Sequence, residues 1–280
     1  MTTLVLQGPQ LTQAIAQQIS QHAGGKLDWH GRFAAIENTA LSADELHALR
    51  QQYAIDINQR PAAFEPSQAA LLVSDMDSTL ITIECIDEVA DFMNIKPQVA
   101  AITESAMRGD IDFETSLRQR VSLLKGLDVS VLEQVYEQRL RLSPGATEMV
   151  AGLKQQGIKL ALVSGGFTFF TDRLKQRLGL DFTQANVLAE ANGKLTGEVE
   201  GAICDAQSKA DFLRQCCQTL AIETSQTVAV GDGANDLVMM GAAGLSVAYH
   251  AKPKVQQQAD AALNYSGLDG ILGLLAIDFS

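Results

Sequence analysis

Residues 69–79 read AALLVSDMDST, a continuous apolar run that ends on two carboxylates, Asp75 and Asp77. Apolar residues without alternation suit a strand buried on both faces, the kind found in parallel sheets covered by helices. Two further runs end the same way, on small or acidic residues, IKLALVSGG from Ile158 and TVAVGDG from Thr227, and LSVAYH from Leu245 is a fourth apolar run. Helical patterns fall between them, at 146–156, 168–178, 209–221 and 236–243. The economical arrangement is an α/β fold, a doubly wound (Rossmann-like) parallel sheet with helices on both faces. Asn192-Gly193, between ANVLAEA and KLTGEVE, predicts a hairpin at one sheet edge.

After the first strand, at about 85–143, the apolar residues take helical spacing: Ile86, Val89, Ala90 and Met93, then Leu117, Val121 and Leu124. Ser130 with Glu133 predicts a capping box opening another helix. A helical insertion there would lie over the carboxyl edge of the sheet, where open α/β folds bind ligands, and so reads as a cap. Upstream, 1–58 reads as a small α/β module, with strands at 3–6, 33–36 and 54–57 and helices at 11–22 and 42–52. The stretch NQRPAAFEPSQ at 58–68 has two prolines and no periodicity, the marks of a linker. The 280 residues therefore divide into a module with its linker at 1–66 and a larger domain at 67–280.

With 46% apolar and 19% charged residues the chain is globular rather than disordered. Its 21 Lys and Arg against 33 Asp and Glu give a net charge of −12, which repels a phosphate backbone, and no basic stripe offsets it. No nucleic-acid partner is expected. The N-terminus MTTLVLQGPQ lacks a signal peptide's basic and apolar regions, and no apolar run approaches the roughly 18 residues of a spanning helix. The expectation is a cytoplasmic protein without a membrane partner. Cys85, Cys204, Cys216 and Cys217 form no CxxC pair and read as buried reduced thiols. His22, His30 and His47 have spacings that make no metal site.

The chemistry gathers at the strand ends. Asp75-Met76-Asp77 is not a calcium loop, because Leu80 stands where that loop needs Gly. Gly231-Asp232-Gly233-Ala234-Asn235-Asp236 is not a dinucleotide fingerprint: Asp236 occupies the last Gly position, and acids repel a pyrophosphate. If these two strands are neighbours, Asp75, Asp77 and Asp232 converge, and oxygen ligands without Cys or His select Mg2+ over Zn2+. Such a site leaves room for phosphate oxygens, and a carboxylate free of the metal can attack phosphorus. Ser164 and the N–H groups of Gly165 and Gly166 are donors for a phosphoryl group at the start of a helix. A serine-hydrolase elbow fails, since Leu162 stands where GxSxG needs Gly. Lys209, a cation in a helix's first turn, opposes the helix dipole, so a phosphate site explains it better than stability does.

DMDST at 75–79, VSGG at 163–166, Lys209 and GDGAND at 231–236 together resemble, in order, the four motifs of the haloacid dehalogenase superfamily of phosphatases. The helical insert, Glu84, Met107, Phe113 and SLRQRVSLLKG at 116–126 are similar to its phosphoserine phosphatase family. That resemblance implies a cytoplasmic, Mg2+-dependent hydrolase of O-phosphoserine acting in serine biosynthesis. It implies Asp75 as nucleophile and Asp77 as proton donor and acceptor. Asp75, Asp232 and the backbone carbonyl of Asp77 would hold the metal, with Asp236 and Asn235 supporting its shell. Ser164, Gly165 and Lys209 would bind the phosphoryl oxygens, while Glu84 and Arg120 would hold the substrate's amino and carboxylate ends. Arg120 sits at the margin of the Leu117, Val121, Leu124 stripe, placed to bury its stem and aim a fork into the cleft.

The core motifs are shared with related phosphatases and phosphotransferases acting on other small phosphate esters, and Glu84 with Arg120 is what argues for an amino acid. A sensor phosphorylated on Asp would need neither a proton donor two residues from the nucleophile nor a cap. The first module faintly resembles an ACT-type regulatory module, without a recognisable ligand motif. A small-molecule substrate is the expected partner; a homodimer is compatible with the sequence, which does not set the oligomeric state.

Overall fold

The computed structural model describes residues 2–278, apart from the side chain of Met107. The chain opens with strand β1 (Thr2–Gln7), helix α1 (Gln13–Ala23), β2 (Lys26–Trp29), β3 (Phe33–Thr39), α2 (Ala43–Gln52) and β4 (Asp56–Arg60). The four strands form an antiparallel sheet in the order β2-β3-β1-β4. Strand alternation divides β1 between two cores: Leu4 and Leu6 pack with Ile19, Leu46 and Leu49 of the helices, while Val5 joins Phe33 in the core of the larger sheet. Thr12 caps α1, and Ser42 with Glu45 forms a capping box on α2. Strand β4 runs to Arg60, so the linker expected from residue 58 begins inside a strand.

The larger sheet begins at β5 (Leu71–Ser74). Helices α3 (Cys85–Phe92), α4 (Lys96–Arg108), α5 (Phe113–Ser122) and α6 (Ser130–Gln138) then intervene before α7 (Ala146–Gln155) and β6 (Lys159–Phe167). Next come α8 (Thr168–Leu178), the hairpin β7 (Phe182–Ala191) and β8 (Lys194–Glu200), α9 (Ala206–Leu220), β9 (Thr227–Gly231) and α10 (Leu237–Met240). The chain closes with β10 (Leu245–Tyr249), α11 (Pro253–Gln256), β11 (Ala261–Leu263) and α12 (Gly270–Leu274). The order is β11-β10-β9-β5-β6-β7-β8, parallel throughout except for β7 with β8. Leu71 and Val73 face α9 and α10, whereas Leu72 faces the opposite core with Leu153 and Phe170. The expected α/β doubly wound sheet is therefore present, and no described helix is long and apolar enough to cross a membrane.

The helical insertion hangs on a narrow stem: Ile81 bridges Leu142, Thr82 N–H donates to Arg141 O and Ser143 N–H to Leu80 O, both at 3.0 Å. The hairpin turn has Asn192 and Gly193 at φ 52° and 75°, the left-handed pair its sequence requires. It also grips the cap, since Gly126 N–H donates to Leu195 O and Leu195 N–H to Leu127 O. The capping box expected from Ser130 and Glu133 does not form. Asp128 accepts the Ser130 N–H at 2.9 Å instead, and Glu133 is taken by Arg173 of α8 at 2.6 Å, a stronger charged partner than a backbone amide.

The small sheet is latched onto the large one. The buried Asp56 carboxylate accepts the N–H groups of Asn264, Tyr265 and Ser266, and the Asn58 amide exchanges two 2.9 Å hydrogen bonds with Ala262 at the edge strand β11. Asp56→Ala would leave these amides, the buried Ser266 N–H among them, without their acceptor, and a loss of about 2 to 4 kcal/mol in urea-unfolding stability is expected. A change within error would mean that water replaces the carboxylate.

Candidate active site

Asp75 follows the last residue of β5, where Ser74 pairs with Val230 of β9 on one side and Leu162 of β6 on the other. Its N–H continues the ladder, donating to Val230 O at 2.9 Å. Residues 76–80 then make one wide turn closed by Ile81 N–H to Met76 O, with Ser78 at φ 57°. The turn carries Asp77 to the N-terminus of α3, where its Oδ1 accepts the Cys85 N–H at 2.8 Å, while Oδ2 accepts the Ser164 hydroxyl at 3.2 Å. Gly166 N–H donates to that same hydroxyl oxygen at 2.8 Å. A Cβ at Gly165 would come within 2.9 Å of the Phe113 ring, so this glycine lets the cap settle on the loop. Asn186, fully buried, pins the loop by donating to Gly165 O and accepting the Cys204 N–H.

Lys209 of α9 is 1% exposed, and its Nζ donates to Asp75 Oδ1 at 2.5 Å and Asp236 Oδ1 at 2.7 Å. Asp236 is also fully buried; its other oxygen accepts the Gly233 N–H at 3.0 Å, and a Cβ at Gly231 would overlap it. Thr79 Oγ1 donates to Asp232 Oδ1 at 3.2 Å, tying the two strand ends together.

The carboxylates of Asp75, Asp232 and Asp236 place one oxygen each within 4.8 Å of one another. Burial pushes Asp75 well above the usual carboxylate range, against the pull of Lys209, and it also raises Asp77 against the Cys85 N–H. Burial, then the Asp236 charge, pushes Asp232 up to about 6. Burial alone would lower Lys209, but Asp236 and Asp75 hold it above its ordinary range. More buried negative charge than one ammonium can balance, offered by oxygen donors alone, fits a hard divalent cation such as Mg2+. The Asp77 carboxylate lies outside this cluster, on the side of Ser164.

The cap supplies the other wall of a cavity of about 720 Å3 that holds Asp75, Asp77, Ser164, Asp232 and Asn235. Glu84 faces this cavity and accepts the Ser78 hydroxyl at 2.7 Å; packing protein around its other sides, then the Asp77 charge, pushes it up to about 7. Arg120, half-buried on α5, is lowered by that burial and supported by Asp87 and Glu84. Every site residue expected from the sequence therefore borders this cavity or lies directly behind it. The Met107 side chain falls outside the described residues. Sequence reasoning gave no role to Ser78, Thr79 or Asp87. Thr79 stands in the DxDxT string and was legible there, whereas the other two carry no local signal.

The fold and the site define a hydrolase of phosphate esters. The family model of haloacid dehalogenase-like hydrolases matches residues 69–244, and the chain belongs to that family. It is 55% identical over 214 residues to the phosphoserine phosphatase of Polaromonas sp., covering 75% of this chain and 91% of that one. The crystal structure of a probable phosphoserine phosphatase from Vibrio cholerae superposes with a TM-score of 0.85 at 42% identity, covering 98% of this chain and 86% of that one. A phosphoserine phosphatase solved as a phospho-aspartyl intermediate analogue matches with a TM-score of 0.68 at 42% identity, over 73% of this chain and 97% of that one.

Proposed function

We propose that this enzyme hydrolyses O-phospho-L-serine to L-serine and inorganic phosphate, the last step of serine biosynthesis, in the cytoplasm and with Mg2+. The observation that carries the substrate is the pairing, across one cavity, of Glu84 and Arg120 beside the Asp75 and Lys209 pair. A carboxylate and a guanidinium are the complements of an amino acid's two charged ends. The small phosphate ester is the partner this site serves, with neither nucleic acid nor membrane required.

Asp75 attacks phosphorus, forming an acyl phosphate as the bond to the serine oxygen breaks; a relative captured as a phospho-aspartyl analogue supports this route. Asp77, whose carboxyl burial raises above its usual range, gives its proton to the departing oxygen. It then takes a proton from the water that attacks the acyl phosphate, releasing phosphate and restoring Asp75. Lys209, Ser164 and the Gly165 N–H hold the phosphoryl oxygens. Mg2+, when bound by Asp75, Asp232 and the Asp77 backbone carbonyl with Asp236 and Asn235 in support, offsets the charge on the phosphoryl group.

Turnover of phosphoserine with Mg2+, abolished by EDTA, tests the activity. Arg120→Ala tests the substrate: kcat/KM for phosphoserine should fall about 30- to 1000-fold, while phosphoethanolamine, which lacks the carboxylate, should lose far less. Equal losses would mean that Arg120 only packs the cap.

Glu84 gives a pH signature. Its carboxyl loses its proton near about 7, and only the ionised form pairs with an ammonium, so KM for phosphoserine should fall as pH rises across about 6 to 8. The substrate's own second phosphate ionisation, near about 6, contributes in the same direction. Glu84→Gln should keep that part and lose the rest; a KM profile parallel to wild type would remove Glu84 from ammonium binding.

A further inference from the structure

Ser116 lies on α5 one turn before Arg120 and lines the same cavity. It is 1% exposed, yet its hydroxyl has no hydrogen-bond partner among the described residues. A serine within a helix ordinarily satisfies its hydroxyl on the carbonyl of the preceding turn. Here the Asp112 carbonyl takes the backbone N–H of Ser116 at 3.0 Å, and the hydroxyl makes no such bond. Unpartnered buried side-chain atoms in the described residues otherwise belong to Gln7, Arg60 and Ser266, none of which borders the cavity. An orphaned donor in the wall of a ligand cavity is a donor available to a ligand.

Its neighbourhood says which part of the ligand. The Arg120 guanidinium folds back over Ser116, its Nε donating to the Ser116 carbonyl at 3.4 Å, which leaves the terminal nitrogens free of hydrogen bonds among the described residues. Phe113, Ser116 and Arg120 lie at i, i+3 and i+7, one face of the helix turned to the cavity. An ammonium would meet the Arg120 charge there, while a carboxylate would be drawn in. We infer that Ser116 is a further specificity residue, whose hydroxyl donates to the substrate carboxylate alongside the Arg120 fork. The inference rests on the phosphoserine reading above.

Ser116→Ala removes the hydroxyl and leaves a residue of high helix propensity in a buried place, so the fold should hold. For phosphoserine, kcat/KM should fall about 10- to 100-fold, carried mainly by KM, as expected for losing a hydrogen bond to a charged group. Phosphoethanolamine should be affected far less. In an Arg120→Ala background the same change should cost much less, because both residues then serve a carboxylate already released. No loss on phosphoserine, equal losses on the two substrates, or full additivity with Arg120→Ala would each overturn the assignment of Ser116 alone. A wild-type enzyme that turns over phosphoethanolamine as readily as phosphoserine would overturn the amino-acid reading itself, and this inference with it.

Discussion

Asp75→Asn is expected to bring phosphoserine turnover below detection while leaving the protein folded. An amide nitrogen cannot form the acyl phosphate, and no other described carboxylate ends β5 with the backbone locked to Val230. The change is nearly isosteric at a residue that is 4% exposed. Burial already disfavours the ionised form of Asp75, so a neutral amide removes an electrostatic penalty even as it weakens the contact to Lys209. Lys209 keeps its partner Asp236. Thermal unfolding should therefore shift little, and the far-UV spectrum should match wild type. Mass spectrometry of a rapidly quenched wild-type reaction should find a labile phosphate on the peptide that carries Asp75, and none in the variant. Appreciable turnover by a pure Asp75→Asn sample would remove the nucleophile from this position.

The strands that position this chemistry were legible because burial on both faces writes itself as an unbroken apolar run, as in LLVS of β5 and TVAVG of β9. Lys209 was legible as a charge placed against its own helix dipole, and the structure pairs it with two buried acids. What stayed hidden is short, small or distant. β2 alternates exposed and half-buried residues at a sheet edge, β11 is three residues of Ala and Leu, and α12 carries two glycines. None of these has a pattern that competes with a turn. The Asp56 latch joins residues about 200 positions apart, a pairing only the fold can set. The capping motif at Ser130 was read from local sequence, but Arg173, from a helix farther along the chain, outbids the backbone for Glu133. Ser116 belongs to the same class, since nothing in its sequence neighbourhood shows that its hydroxyl ends without a partner.

Asp77→Asn should slow phosphoserine hydrolysis by about 10²- to 10⁴-fold, the usual worth of a positioned general acid and base. The geometry makes the test selective. The Cys85 N–H and the Ser164 hydroxyl both donate to Asp77, and an asparagine can still accept one of them through its carbonyl oxygen, so orientation of the turn survives. What disappears is the transferable proton. The serine alkoxide is a poor leaving group and needs that proton, whereas an aryl oxide leaves without it, so aryl phosphates should lose much less in the first step. Their overall rate then becomes limited by breakdown of the acyl phosphate, where Asp77 is asked to take a proton from water. A burst of aryl oxide followed by slow turnover is the expected trace for the variant. Phosphoserine should show no burst, because its first step is the one that is blocked. Aryl phosphate and phosphoserine losing rate equally, with no burst on either, would show that Asp77 serves only to hold Ser164 and the start of α3, and that the leaving oxygen draws its proton from another group.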